Sequence, residues 1–173
     1  MNETNRGSLI AGVGLVLLGA VFVVINLIPG STIRYTWPVI FFVIAFAFFL
    51  PGLAWPDSRA GLAALFIPAT ILAVLGAIFL FNTISGNWAV WAFAWILLPA
   101  SVGLGLMFAA QAGKWSHGVW LVGIWMALIS MAIFAVFAAL FGPGAVKFVG
   151  AGIMVVMGLL MLLRSFSKKP AVQ

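Results

Sequence analysis

Six long runs of apolar residues, separated by short polar loops, constrain this chain more than any other feature of its sequence. The runs cover residues 9–28, 37–55, 60–81, 88–110, 119–141 and 145–163. Each run supplies about the ~20 apolar residues that a helix needs to cross a ~30 Å hydrocarbon core. None alternates apolar and polar residues as a membrane β-strand does. We therefore expect an all-α polytopic membrane protein, a single membrane domain with six transmembrane helices.

Composition excludes a soluble domain and several kinds of chemistry. The chain is 66% hydrophobic and 6% charged, where soluble domains have roughly 45–50% apolar and about 25% charged residues. It contains no cysteine, one histidine and two carboxylates, Glu3 and Asp57. Metal sites and paired-carboxylate catalysis need more such groups. We therefore expect no catalytic residue, no metal and no cofactor.

Three glycines suggest an internal repeat. Gly30, Gly86 and Gly142 follow the odd-numbered runs at a constant interval of 56 residues, and Asn26 and Asn82 keep the same interval. Self-similarity of this kind is typical of duplicated units. The spacing predicts three tandem helical hairpins over residues 9–55, 60–110 and 118–165. The alternative is coincidence in a sequence built from few residue types.

The distribution of Lys and Arg predicts the orientation in the membrane. With a cytoplasmic N-terminus, six basic residues fall on the cytoplasmic side and two, Arg34 and Lys147, on the other. Basic residues in short loops favour the cytoplasm. We expect a multi-pass protein of the inner (plasma) membrane with both termini cytoplasmic. The net charge of +6 is scattered over loops and tails, whereas a nucleic-acid site needs clustered charge, so we expect no nucleic-acid partner.

The first hairpin resembles the LiaI–LiaF-like transmembrane region over residues 9–53. The resemblance lies in the glycine-rich start, the Asn26-Leu27 end of the first run, and the Trp-Pro-Val-Ile sequence at residues 37–40. The layout of six helices in three hairpins also resembles the HdeD family of acid-resistance membrane proteins. The first resemblance implies a role in sensing envelope stress. LiaF-type proteins also carry a soluble C-terminal domain, which we do not expect in this chain.

The uncharged polar residues within the runs or closing them are few, and the one charged residue, Lys147, lies three positions into the sixth run, where its side chain can extend to the membrane surface. The uncharged ones are Asn26, Thr70, Asn82, Ser101 and Ser130. Charged groups at mid-membrane depth mark ion and proton paths, so the absence of charged residues from the middle of every run disfavours ion-coupled transport. We expect the two asparagines to end helices in a left-handed conformation; the alternative is an interhelical hydrogen bond. Pro51, Pro68 and Pro99 lie within runs, where neighbouring helices tolerate kinks.

His117 and the tryptophans are the candidates for cofactor binding or for anchoring in the membrane. His117 lies in a loop with aromatic neighbours and could ligate a porphyrin or chlorin, although an interfacial histidine without a ligand is the commoner case. Trp91 and Trp95 share one helical face with Trp88, where they would pack against helices or hold a lipid, quinone or pigment tail. Five tryptophans near run ends fit interfacial anchors: Trp37, Trp55, Trp88, Trp115 and Trp120.

Small residues on the fifth helix predict where it packs. Ala132, Ala135, Ala139 and Gly142 share one face, and Phe134, Phe137 and Phe141 lie roughly opposite. In lipid, helices meet where small residues let backbones approach, so we expect the small face to contact a helix.

The most favoured function is a non-enzymatic membrane protein that packs with itself or a partner, in a structural or envelope-regulatory role. The alternatives are an accessory subunit of an energy-transducing or photosynthetic complex and a small permease or lipid-handling protein.

Overall fold

The computed structural model describes residues 37–55 and 58–167, together with six helical positions between residues 12 and 23. In this part of the chain all regular structure is helical, which confirms the all-α expectation there. The first predicted span, with Asn26 and Gly30, lies outside the continuously described residues. Glu3, Arg34 and Asp57 also lie outside them.

Six helices follow one another in the described ranges. They are α1 (Val39–Ala54), α2 (Arg59–Ser85), α3 (Trp88–Ala94), α4 (Leu97–Gly113), α5 (His117–Phe141) and α6 (Ala145–Ser167). Three of them, α2, α5 and α6, are long and apolar enough to cross a membrane. The α3–α4 pair is bent by 57° and makes a fourth candidate if the two helices form one span. At 16 residues, α1 is shorter than these.

Pro68 lies inside the span candidate α2 and Pro99 inside the bent α3–α4 pair, and each is near the start of an α-helical stretch. Pro68 is the third residue of the α-helical stretch Phe66–Ser85, which follows a 3-10 turn at Ala63–Leu65. Pro99 is the third residue of α4. A proline ring clashes with the carbonyl four residues earlier, and it needs no N–H in the first turn of a helix. The chain therefore changes conformation just before each proline. Pro51 does lie inside α1.

Glycines set the closest approaches between helices. A Cβ atom built on Gly103 of α4 would lie 2.8 Å from the backbone N of Ala127 and would collide with the carbonyl of Gly123, both on α5. Built on Gly105, it would lie 2.6 Å from the Cα of Ile67 on α2. Small residues allow the helix backbones to come this close. In lipid, such close packing drives helix association, because there is no hydrophobic driving force between helices. Helix α4 is thus held between α2 and α5.

The two described members of the glycine repeat both end helices, but in different conformations. Gly86 follows α2 with φ of 67°, in the left-handed region that favours glycine. Gly142 follows α5 with φ of −63° and ψ of 138°, which is extended backbone. The equally spaced glycines therefore both follow the end of a helix, but the two turns have different backbone conformations.

Candidate functional site

The interruption between α3 and α4 is the most unusual feature of the described bundle. Trp95 and Ile96 form a turn between the two helices, which meet at 57°. Ser130 of α5 faces this turn, 13 residues after His117 and 11 before Phe141, the two ends of α5. At 1.5 Å per residue, the interruption lies ~20 Å and ~17 Å from those ends. It therefore lies near the middle of the bundle.

Several polar groups at the interruption are paired within the protein. The N–H of Ile96 donates to the carbonyl of Phe93 at 3.1 Å, and the N–H of Leu98 donates to Trp95 at 3.0 Å. The indole Nε1 of Trp95 donates to the carbonyl of Ala92 at 2.9 Å. Unpaired backbone groups cost several kcal/mol in hydrocarbon. These local bonds allow the chain to turn at this depth.

Ser130 adds a connection from the neighbouring helix. Its hydroxyl accepts from the N–H of Ala100 at 3.1 Å and donates to the carbonyl of Ile96. In a continuous α-helix these two backbone groups would pair with each other. Ser130 is 4% exposed. A side chain inserted into the hydrogen-bond ladder is a recognised cause of sharp bends, so Ser130 fastens the start of α4 to α5.

Two further hydroxyls lie near the start of α4, and one of them is at its contact with α2. The hydroxyl oxygen of Thr70 on α2 lies 2.8 Å from the carbonyl oxygen of Ser101 on α4. It also lies 3.0 Å from the carbonyl oxygen of Phe66 in its own helix. The Ser101 hydroxyl donates to the carbonyl of Leu98 at 2.6 Å. Both residues are buried. The structure thus brings together three of the polar residues that the sequence singled out, one from each of α2, α4 and α5.

Two apolar clefts flank the interruption. The first, which we call the α6 cleft, has a volume of about 400 Å³ and lies between α2, the α3–α4 pair, α5 and the start of α6. The second, the Trp95 cleft, has a volume of about 560 Å³ and lies between Trp95, Ile96 and Pro99 on one side and α5 on the other. Volumes of this size hold small ligands. The walls of both are almost entirely carbon, so an occupant gains little hydrogen bonding.

The tryptophans expected on one face divide at the interruption. Trp91 stacks on Phe79 with ring centroids 5.2 Å apart, and Trp88 lies 6.5 Å from the same ring. Trp88–Val90 is a 3-10 turn, in which residues three apart eclipse each other. Trp95 lies in the bend, lines the Trp95 cleft and is 53% exposed. The three rings therefore do not form the continuous surface that the spacing predicted.

His117 lies at the start of α5, apart from the interruption. Its ring is exposed and stacks on Trp120 with centroids 5.5 Å apart. Within the described residues no three His, Cys, Asp or Glu side chains group together.

The tryptophans predicted as anchors lie beside helix ends. Trp37 precedes α1, Trp55 follows it, and Trp88 begins α3. Trp115 lies in the loop before α5, and its Nε1 donates to the carbonyl of Ala60 at 2.9 Å. This bond ties the loop to the start of α2. Trp120 is in the first turn of α5.

The small residues of α5 lie toward α6. Ala135 is fully buried and Gly142 is buried, while Ala132 and Ala139 are half-buried. A Cβ atom on Gly150 of α6 would lie 2.5 Å from the backbone N of Ala139.

The phenylalanines of α5 divide between the core and the surface. Phe137 and Phe141 are 42% and 67% exposed. Phe134 departs from its expected place opposite the small face, because its ring packs on Phe93 at 5.8 Å within the core. The bend turns α3 toward α5 and covers this ring.

Both expectations for Asn82 were wrong. It lies inside α2, three residues before the helix ends, and the left-handed residue is Gly86. Its side chain is fully buried, and neither the amide nitrogen nor the oxygen has a hydrogen-bond partner. Such a group lowers stability, by about 1–3 kcal/mol.

Sequence reasoning missed the interruption itself, although Pro99 was a signal for it. A proline disturbs the turn before it, and Ser130 lies at the same depth on the next helix.

Comparison of the chain with protein-family models, characterised proteins and solved structures found no match.

Proposed function

We propose that this chain is a non-enzymatic inner-membrane protein with six transmembrane helices in three hairpins, which acts by packing with a second copy or a partner membrane protein. The surface for this contact is the outward face of α6. Only 6% of the apolar window of α6 is buried within the chain, against 28% for α2 and 22% for α5. This difference is the observation that carries the proposal.

Among the described residues, the packing of α6 leaves a long apolar face uncovered. Gly150 is buried against α5, and Ile153 and Met157 on the same side are half-buried. On the other side Phe148 is 81% exposed and Val155 is 61% exposed. A helix that faces lipid needs only an apolar surface, whereas a helix that binds a partner protein needs a surface that is both apolar and not covered by its own chain. Helix α6 offers both.

Cysteine crosslinking in native membranes tests the proposed contact, because the natural chain has no cysteine. We expect Val155→Cys to give a crosslinked product with a bifunctional maleimide, and Phe46→Cys on α1, which is 43% exposed, to give none. A product of twice the chain mass identifies a second copy. A product containing another protein identifies the partner, and a cofactor-bearing partner would make the chain an accessory subunit. Equal crosslinking by both variants, or by neither, would overturn the proposal.

The orientation can be tested separately with reporter fusions. We expect reporters placed after Gly86 and Gly142 to lie outside the cytoplasm and one after Lys114 to lie inside. A fusion at the C-terminus should report a cytoplasmic location, because six of eight basic residues then lie on that side. A C-terminal reporter outside the cytoplasm would exclude the six-span topology.

A further inference from the structure

We draw no further inference here: the strongest candidate, the Trp95 cleft that runs beside α5 from Val122 to Phe137, has apolar walls, and nothing in the described part of the structure shows what covers it.

Discussion

Removing the Ser130 hydroxyl is the sharpest test of how the mid-bundle interruption is held. Ser130→Ala takes away both the acceptor of the Ala100 N–H and the donor to the Ile96 carbonyl. A side-chain hydrogen bond between membrane helices is worth about 0.6 kcal/mol on average, whereas a buried polar group left unpaired costs about 1–3 kcal/mol. Which magnitude applies depends on whether the two backbone groups can pair with each other.

The local sequence hinders that compensation. Pro99 has no N–H and its ring would clash with the Trp95 carbonyl in a straight helix, so the first turn of α4 cannot simply continue into α3. We therefore expect Ser130→Ala to lower the free energy of unfolding by about 1–2 kcal/mol, above the membrane average. Ser101→Ala is the matched control. Ser101 is equally buried, but its hydroxyl donates within its own helix, and its loss should cost less than about 0.6 kcal/mol.

The assay is unfolding of both variants by sodium dodecyl sulfate in mixed micelles, followed by circular dichroism. Hydrogen exchange gives a second, local readout, since amides near residues 96–100 should exchange faster in Ser130→Ala alone. If the two variants lose equal stability and equal protection, Ser130 does not hold the interruption and the bend is fixed by Pro99 and its own helix.

Five further substitutions can be measured by the same unfolding assay, and some should destabilise the protein while others should not. Gly103→Ala should destabilise by about 1–3 kcal/mol, because its Cβ atom meets backbone of α5, whereas Gly158→Ala, with open space around it, should be neutral or stabilising by up to ~1 kcal/mol; equal effects would contradict the packing. Asn82→Leu should stabilise, because it removes a buried amide that has no partner, and destabilisation would mean that the amide is bonded. Ala135→Leu should cost about 1–3 kcal/mol through overpacking and Phe137→Leu less; the reverse order would make the phenylalanine side the protein contact.

The ends of the long helices were predictable from the sequence because they depend on local composition. The fifth run was predicted at residues 119–141 and α5 is His117–Phe141. The two agree because polar residues precede the helix and Gly142-Pro143 ends it. The sixth run likewise begins where α6 begins, after the same turn. The partners of buried polar groups were not predictable. Ser130 and Ala100 are 30 residues apart, and nothing in either local sequence specifies their meeting.

The chemistry at the interruption determines what the middle of the bundle can do. Broken helices in membrane proteins often leave backbone groups free to bind ions or polar solutes. Here the Ala92 carbonyl is taken by the Trp95 indole, and the Ile96 carbonyl and Ala100 N–H are taken by Ser130. These three groups are therefore already paired within the protein, and the bend separates α3 from α4 with an apolar cleft on either side. A site of this kind favours hydrocarbon over a polar solute, so lipid chains are the ligands to test first.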